Sequence, residues 1–336
     1  MQFLKRLFYL FYYLKESDYK RIKVFLIYAS SITGKTKLRL IIDSVYSVFR
    51  YNTALMDYFY FGFYKLNSLE RSEWAGTGFM YEYQLKMNPK NSRGVLEDKL
   101  GFNEKFKSFV KRECFSLQSL QKNPGTIKIL LNNTSGKIVL KDSFGQAGRE
   151  IKILECKDIN EEDLIRIMTE SNYNLVEEYV VQHTDMMKLS PSGLNTVRII
   201  TQEENGKIDL LAARLRISIN SDVDNMAAGN AASPVDLTSG KVTGPAVFSD
   251  ITKAGIIIHP VTNVIIQDFQ IPYWNEIKSM VREASLMMPE NRSVGWDIAI
   301  NSDGPLLIEG NHNWCKLLWQ LPVKRGLKHE LEKYLK

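Results

Sequence analysis

The chain reads as α+β: a helical front followed by lobes that mix sheet and helix. Three observations predict this. Residues 1 to about 85 form long periodic stretches without proline, and the first proline is Pro89. The segment Asn88-Pro89-Lys90-Asn91-Ser92-Arg93-Gly94 is polar and turn-rich, a boundary in composition. Beyond it, short β-branched runs alternate with Asn-Gly, Ser-Gly and Asp-Gly turns, as strands and hairpins do.

Element by element, strands are expected at Lys137–Lys141, Leu175–Val181, Val197–Thr201, Ile208–Ile217, Gly295–Ile300 and Leu306–Ile308. Helices are expected at about 103–122, 160–172 and 273–288, with a closing basic helix over Val323–Leu335. A chain of 336 residues, 44% hydrophobic and 24% charged, suits two domains or one large domain built of lobes. Cys114, Cys156 and Cys315 have no C-x-x-C spacing, so they read as reduced thiols of a cytoplasmic protein. The four histidines show no ligand spacing either, and zinc chemistry is not expected. No nucleic-acid partner is expected.

The net charge of +6 has its excess at the front. Ten Lys and Arg between Lys5 and Arg50 face only Glu16, Asp18 and Asp43, among many aromatics such as Phe8, Tyr9, Phe11, Tyr12 and Tyr13. Such a segment either lies on an anionic membrane surface or forms a helical subdomain with rings as core and lysines in solvent. The second, simpler reading is preferred. No apolar run reaches the ~18 residues that span a bilayer, and Leu7–Leu14 lacks a cleavage site. The expected location is the cytoplasm, at the inner face of the membrane if the front touches lipid.

Val24 to Thr36 imitates a strand entering a phosphate-binding P-loop, ending in Gly34-Lys35-Thr36. The pattern needs glycine where Ala29 stands, because the loop turns its N–H groups inward through conformations that a Cβ disfavours. A helix that ends near Gly34 and restarts is the expectation.

The strongest chemical signal runs from Val294 to Asn311. Two apolar strands flank a turn containing Asp303-Gly304; centred on Asp303, it makes Asp297 and Glu309 cross-strand partners. Asn311 shares the face of Glu309. Two carboxylates and an amide oxygen suit magnesium, and neighbouring acids among Ile and Leu are costly without a cation. A second signal is a strand ending in Lys141, then a small-residue loop through Ser143, Gly145, Gln146, Ala147 and Gly148 whose N–H groups could fold over phosphates. A third is Leu175–Val180, an apolar strand turning polar, able to offer backbone groups to an adenine edge.

The order of these elements resembles the ATP-grasp superfamily, and more narrowly its sugar-transfer-associated family. The narrower likeness rests on Leu194-Asn195-Thr196-Val197-Arg198-Ile199, Ile271-Pro272-Tyr273-Trp274, and Gly295-Trp296-Asp297-Ile298-Ala299 running into Leu307-Ile308-Glu309-Gly310-Asn311. It extends over about residues 50–320, including a helical front from Asp57-Tyr58-Phe59 to Glu70-Arg71. The resemblance implies an ATP-grasp fold, two α+β lobes gripping ATP. Residues 1–87 would form the helical front, 88–190 the small lobe and 191–336 the large lobe.

It also implies roles. Lys99 and Lys141 would contact ATP, Ser143–Gly148 would cover the phosphates, and Glu177, Glu178, Tyr179 and Val180 would be the adenine hinge. Asp297, Glu309 and Asn311 would hold two Mg2+ ions, and Asp185 or His183 would hold the ribose. Arg198 and Arg214, on a hairpin turned by Asn205-Gly206, would serve catalysis. They share a face with a three-residue loop and are separated by a two-residue one. Relatives that add amino acids carry Arg-x-Asn where this chain has Val223-Asp224-Asn225; Asn225 could still reach phosphate or metal.

The implied activity is ATP-dependent, ADP-forming ligation of a carboxylate to an amine through an acyl phosphate. The acceptor would be a uronic acid or glycan precursor in surface-polysaccharide or capsule synthesis, and the amine could be an amino acid. The rivals are a catalytically silent membrane-peripheral scaffold and a P-loop transferase using Lys35.

Overall fold

A computed structural model describes residues 2–145, 151–221 and 224–335. The front is helical: α1 (Gln2–Glu16), α2 (Tyr19–Thr33), α3 (Lys37–Tyr51), α4 (Leu55–Tyr60), α5 (Ser68–Ser72) and α6 (Thr77–Met87). Asp18 caps α2 by accepting from the Arg21 N–H, and Thr36 caps α3 through the Arg39 N–H. Between them Gly34 ends α2 at φ +69°, a left-handed cap that suits glycine. The P-loop imitation is therefore a helix–turn–helix with no strand, and Lys35 donates to the Tyr64 carbonyl at 2.6 Å.

The expected helix at 103–122 is broken. It is replaced by α7 (Gly94–Glu97), α8 (Lys99–Lys105), α9 (Lys107–Val110), strand β1 (Cys114–Ser116) and α10 (Leu117–Lys122). Lys111, at φ +50°, turns the chain out of α9. Next come α11 (Gly125–Leu131), β2 (Lys137–Lys141), β3 (Lys152–Glu155), α12 (Glu161–Glu170), β4 (Leu175–Glu178) and α13 (Thr184–Leu189). Strands β1-β4-β2-β3 form a four-stranded sheet, entirely antiparallel. Leu120, Leu130, Leu164 and Met168 cover Ile138, Leu140 and Val176 of this sheet.

The second sheet runs β7-β6-β5-β8-β9, from β5 (Val197–Glu204), β6 (Lys207–Ile217), β7 (Ala231–Val235), β8 (Ser293–Asn301) and β9 (Gly304–Asn311). Helix α14 (Trp274–Leu286) packs on one face with Phe102, Phe106 and Val110, so α8 and α9 are built into this sheet's core. On the other face Met80, Tyr83 and Met87 of α6 meet Ile200, Ala212, Trp314 and Trp319. The chain closes with α15 (Lys316–Gln320) and α16 (Lys328–Glu332); the long terminal helix expected over Val323–Leu335 is shortened to α16 and a following 3-10 turn. The strands β1 and β7 were not anticipated, being short or carrying proline, whereas β3 is the strand expected after the small-residue loop.

Both central hairpins use a two-residue turn and then a bulge. Asn205 and Gly206, both at positive φ, join Glu204 to Lys207, and the register shifts after Thr201. Ser302-Asp303 joins Asn301 to Gly304, and the register shifts again beside Asp297. An extra residue in one strand exchanges inward for outward positions beyond it. Arg198 therefore opposes Arg214 despite the two-residue loop, and Asp297 opposes Glu309 although the turn is not centred on Asp303.

Candidate active site

The two bulges align one row across the large sheet: Arg214, Arg198, Asp297 and Glu309, each opposite the next. Neighbours in such a row share a face, with Cβ atoms ~4.5–5.5 Å apart. Gly295, opposite Asn311, leaves room for this face: a Cβ there would lie 2.6 Å from Trp314 Cβ and 3.2 Å from Arg198 Cδ. Arg198, Asp297 and Glu309 of this row form one wall of a cleft of about 450 Å³. Lys99, Lys141, Asp142 and Gly145 form the facing wall.

Asp297 is buried and is held at both oxygens. Arg198 donates to it through two nitrogens, and Arg216 donates to Oδ2 at 2.6 Å. Burial alone would raise its pKa, but the two guanidinium groups hold it well below the usual carboxylate range. Arg216 also reaches Asp224 at 2.7 Å, and Asp224 accepts from the Thr196 N–H at 2.8 Å. Glu309 is more open, its side chain 39% exposed, with Asn311 at 3.1 Å and Arg198 at 3.9 Å. Desolvation and the neighbouring Asp297 charge push its pKa up.

The facing wall inverts this balance. Glu177 is buried between Arg112, at 2.8 Å, and Lys141, which donates to its other oxygen. Burial would raise Glu177, yet these cations hold it at about 2. Arg112 also donates to the Leu307 carbonyl at 2.8 Å, tying β4 to β9. Lys99 donates to the carbonyls of Asp142 at 3.1 Å, Ser143 at 3.3 Å and Gly145, fastening the start of the small-residue loop to α8. Burial lowers the Lys99 pKa. Ser143 is locked by Asn174, whose Oδ1 accepts from its N–H at 2.7 Å.

Lys99, Lys141, Gly145, Arg198, Asn225, Asp297, Glu309 and Asn311 thus meet in one cleft. Gln146, Ala147 and Gly148 lie outside the described residues. Arg214 is turned away despite its place in the row. Its guanidinium donates to the Trp319 carbonyl of α15 at 2.5 and 3.1 Å and to Ala213 at 2.7 Å. Burial and nearby Arg325 lower it to about 10. The arginine that reaches the cleft is Arg216, two residues on; its position on the same face of β6 was readable, its selection was not.

The hinge residues also sit differently from the expectation. Glu178 donates its N–H to the Glu113 carbonyl at 3.0 Å and Tyr179 to Lys137 at 3.3 Å, so both N–H groups serve the sheet. Val180, half-buried, follows the end of β4. Asp185 pairs with Lys188 at 3.1 Å on α13 and lies near His183 at 3.8 Å, away from the residues lining the cleft. Arg112, Thr196 and Asp224 were missed. Arg112 lay inside an expected helix, where a Lys-Arg-Glu run reads as a solvated face.

Hard oxygen donors suit magnesium, and Asp297, Glu309 and Asn311 supply only these. Glu309, held up by a second acid and half open to the cleft, is where a cation would relieve the repulsion. The donor set therefore fits Mg2+.

The cleft lies between the two sheets, with lysines on one wall and carboxylates on the other. The family model for sugar-transfer associated ATP-grasp proteins matches residues 79–336, and the chain belongs to that family. Among solved structures, it is similar to the ATP-grasp ligase PsnB complexed with a phosphomimetic variant of its minimal precursor, Mg and ADP. The identity is 12% over 74% of this chain and 62% of that one, with a TM-score of 0.44. It is also similar to D-cycloserine synthetase DcsG, at 10% identity over 74% of each chain and a TM-score of 0.41. The biotin carboxylase domain of Hydrogenobacter thermophilus 2-oxoglutarate carboxylase is 15% identical over 69% of this chain and 46% of that one, with a TM-score of 0.41. The chain spans less than two thirds of the length of the PsnB chains. No curated protein matches the sequence.

Proposed function

We propose that the protein is an ADP-forming carboxylate–amine ligase working through an acyl phosphate, with ATP in the cleft between the two sheets. The observation that carries this is the opposition of Lys99 and Lys141 to Asp297, Glu309 and Asn311 across one cleft. A carboxylate resists amines because its leaving group would be oxide. Attack of its oxygen on the γ-phosphorus of ATP breaks the bond to ADP and leaves an acyl phosphate. The amine then attacks the acyl carbon, loses a proton and expels phosphate.

Lys99 and Lys141 sit where they would neutralise phosphate oxygens, and Arg198 and Arg216 where they would stabilise the transferring group. Asp297, Glu309 and Asn311 would hold Mg2+, two ions in this reading, which supplies charge neutralisation at the phosphates. The loop that begins at Ser143 would act as a lid, since water destroys an acyl phosphate. Asn225, on the cleft wall, would reach phosphate or metal. The family's association with sugar transfer supports a glycan setting for the acceptor. We take it to be a uronic acid or a surface-polysaccharide precursor, joined to an amine or amino acid.

The test is incubation of purified protein with ATP, Mg2+ and a panel of uronic acids and amines. Release of ADP and phosphate that needs both acceptor and amine is the expected result. Nucleotide binding without turnover on any pair would instead favour the silent scaffold.

A further inference from the structure

Helices α1 and α3 carry a surface that the core leaves unused. On α1, Leu4, Phe8 and Phe11 recur at i, i+4 and i+7 and are 59%, 73% and 63% exposed, with exposed Tyr12 beside them. On α3, Leu38 and Ile42 are 67% and 61% exposed, flanked by exposed Ile41 and Tyr46. Phe3 stacks on Phe49 with ring centroids 5.3 Å apart, joining the two helices. The opposite faces are already packed: Tyr13, Val48 and Leu55 form one cluster, and Phe25, Leu40 and Phe59 belong to another. The exposed side chains thus lie apart from the packed faces of these helices, a grouping of the kind that marks an interaction surface.

The charge around this face is predominantly positive, with exposed Glu16 and Asp18 outnumbered. Lys15, Lys20, Lys23, Lys37, Arg39 and Arg50 are all exposed. Of the three acids in the first fifty residues, Asp43 is bound to Arg71 at 2.8 Å and Asp18 caps α2. We propose that this face seats the protein on an anionic lipid surface. The apolar side chains would enter the headgroup–acyl boundary while the lysines and arginines meet lipid phosphates and carboxylates. No described helix is long and apolar enough to cross a membrane, so the contact is lateral. A second copy of the chain is the poorer occupant, because a two-fold contact would press two cationic rims together.

Arg21 of α2 and Tyr60 of α4, 3.3 Å apart, both line the cleft. The helical front that would dock thus also contributes to the cleft. The lipid contact itself stands without the ligase reading.

Co-sedimentation of the full chain tests it, with vesicles of phosphatidylcholine alone and with about one third phosphatidylserine. The anionic vesicles should bind at least ~10-fold more protein, and ~0.5 M salt should reverse most of this. The double variant Phe8→Ser/Ile42→Ser, at exposed positions, should melt as the wild type does and lose ~10-fold or more of the binding. Three results would overturn the proposal. They are wild-type protein left in the supernatant with anionic vesicles, a variant that binds as well as wild type, and a dimer dissolved by the variant with no vesicle binding.

Discussion

The two walls of the cleft solve opposite electrostatic problems. On the small-sheet side two carboxylates, Glu177 and Asp142, lie among Arg112, Lys141 and nearby Lys99, so cations are in excess. On the large sheet two arginines, Arg198 and Arg216, face three acids, Asp224, Asp297 and Glu309, so negative charge is in excess. Isolated buried charge is expensive, and each wall lowers that cost internally, leaving a remainder that a ligand can meet. A positive remainder suits phosphate, and a negative one suits a divalent cation. A nucleoside triphosphate with magnesium would satisfy both.

Removing charge from each wall should break this comparison in different ways. On the acidic wall, Glu309→Gln should cut ATP turnover by ~10²–10³-fold. Because Glu309 is half open, its urea midpoint should stay near wild type. Asp297→Ala should instead cost ~3–5 kcal/mol in urea denaturation, since it strands two buried guanidinium groups.

On the cationic wall, Glu177→Gln strands Arg112 and should cost a similar ~3–5 kcal/mol at neutral pH. Its pH signature is specific. The folded pKa of Glu177, about 2, lies below the ~4.3 of an unfolded chain. Its stabilisation is therefore full above about pH 5 and is lost as pH falls toward 2. Denaturation midpoints against pH should show this loss in wild type and much less of it in the variant.

Smaller effects sharpen the assignment of the arginines. Arg216→Met should lower turnover by ~10²-fold. Arg214→Met should cost ~1–3 kcal/mol of stability through its lost carbonyl bonds, with turnover per folded molecule within about twofold. If the two variants exchange these phenotypes, the geometric placement is wrong. The smallest effect belongs to Lys35→Ala, for which calorimetry should find ATP affinity unchanged, since Lys35 is held at the Tyr64 carbonyl.

Much of this was legible in the sequence. The alternating strands around Asp303-Gly304 and Asn205-Gly206 announced both central hairpins. The pairing of Asp297 with Glu309 followed from spacing, although a bulge rather than the turn centre brings it about. The end of α2 at Gly34 was readable too, because the missing glycine at Ala29 argued against a P-loop. The front was read less well. Only Tyr13 of the five early aromatics Phe8, Tyr9, Phe11, Tyr12 and Tyr13 is buried, so most of these rings are not core.

What the chain determined alone is what depends on neighbours in sequence: turn chemistry, strand alternation, caps, and the residue types gathered near Asp297. Tertiary structure decided which of Arg214 and Arg216 enters the cleft, because the Trp319 carbonyl that captures Arg214 comes from a helix over a hundred residues away. It also decided that Glu177 forms ion pairs with Arg112 and Lys141, which meet it only through strand pairing and a turn at Lys111. Local pattern specifies which face a side chain occupies; only packing supplies the distant partner that claims its hydrogen bonds.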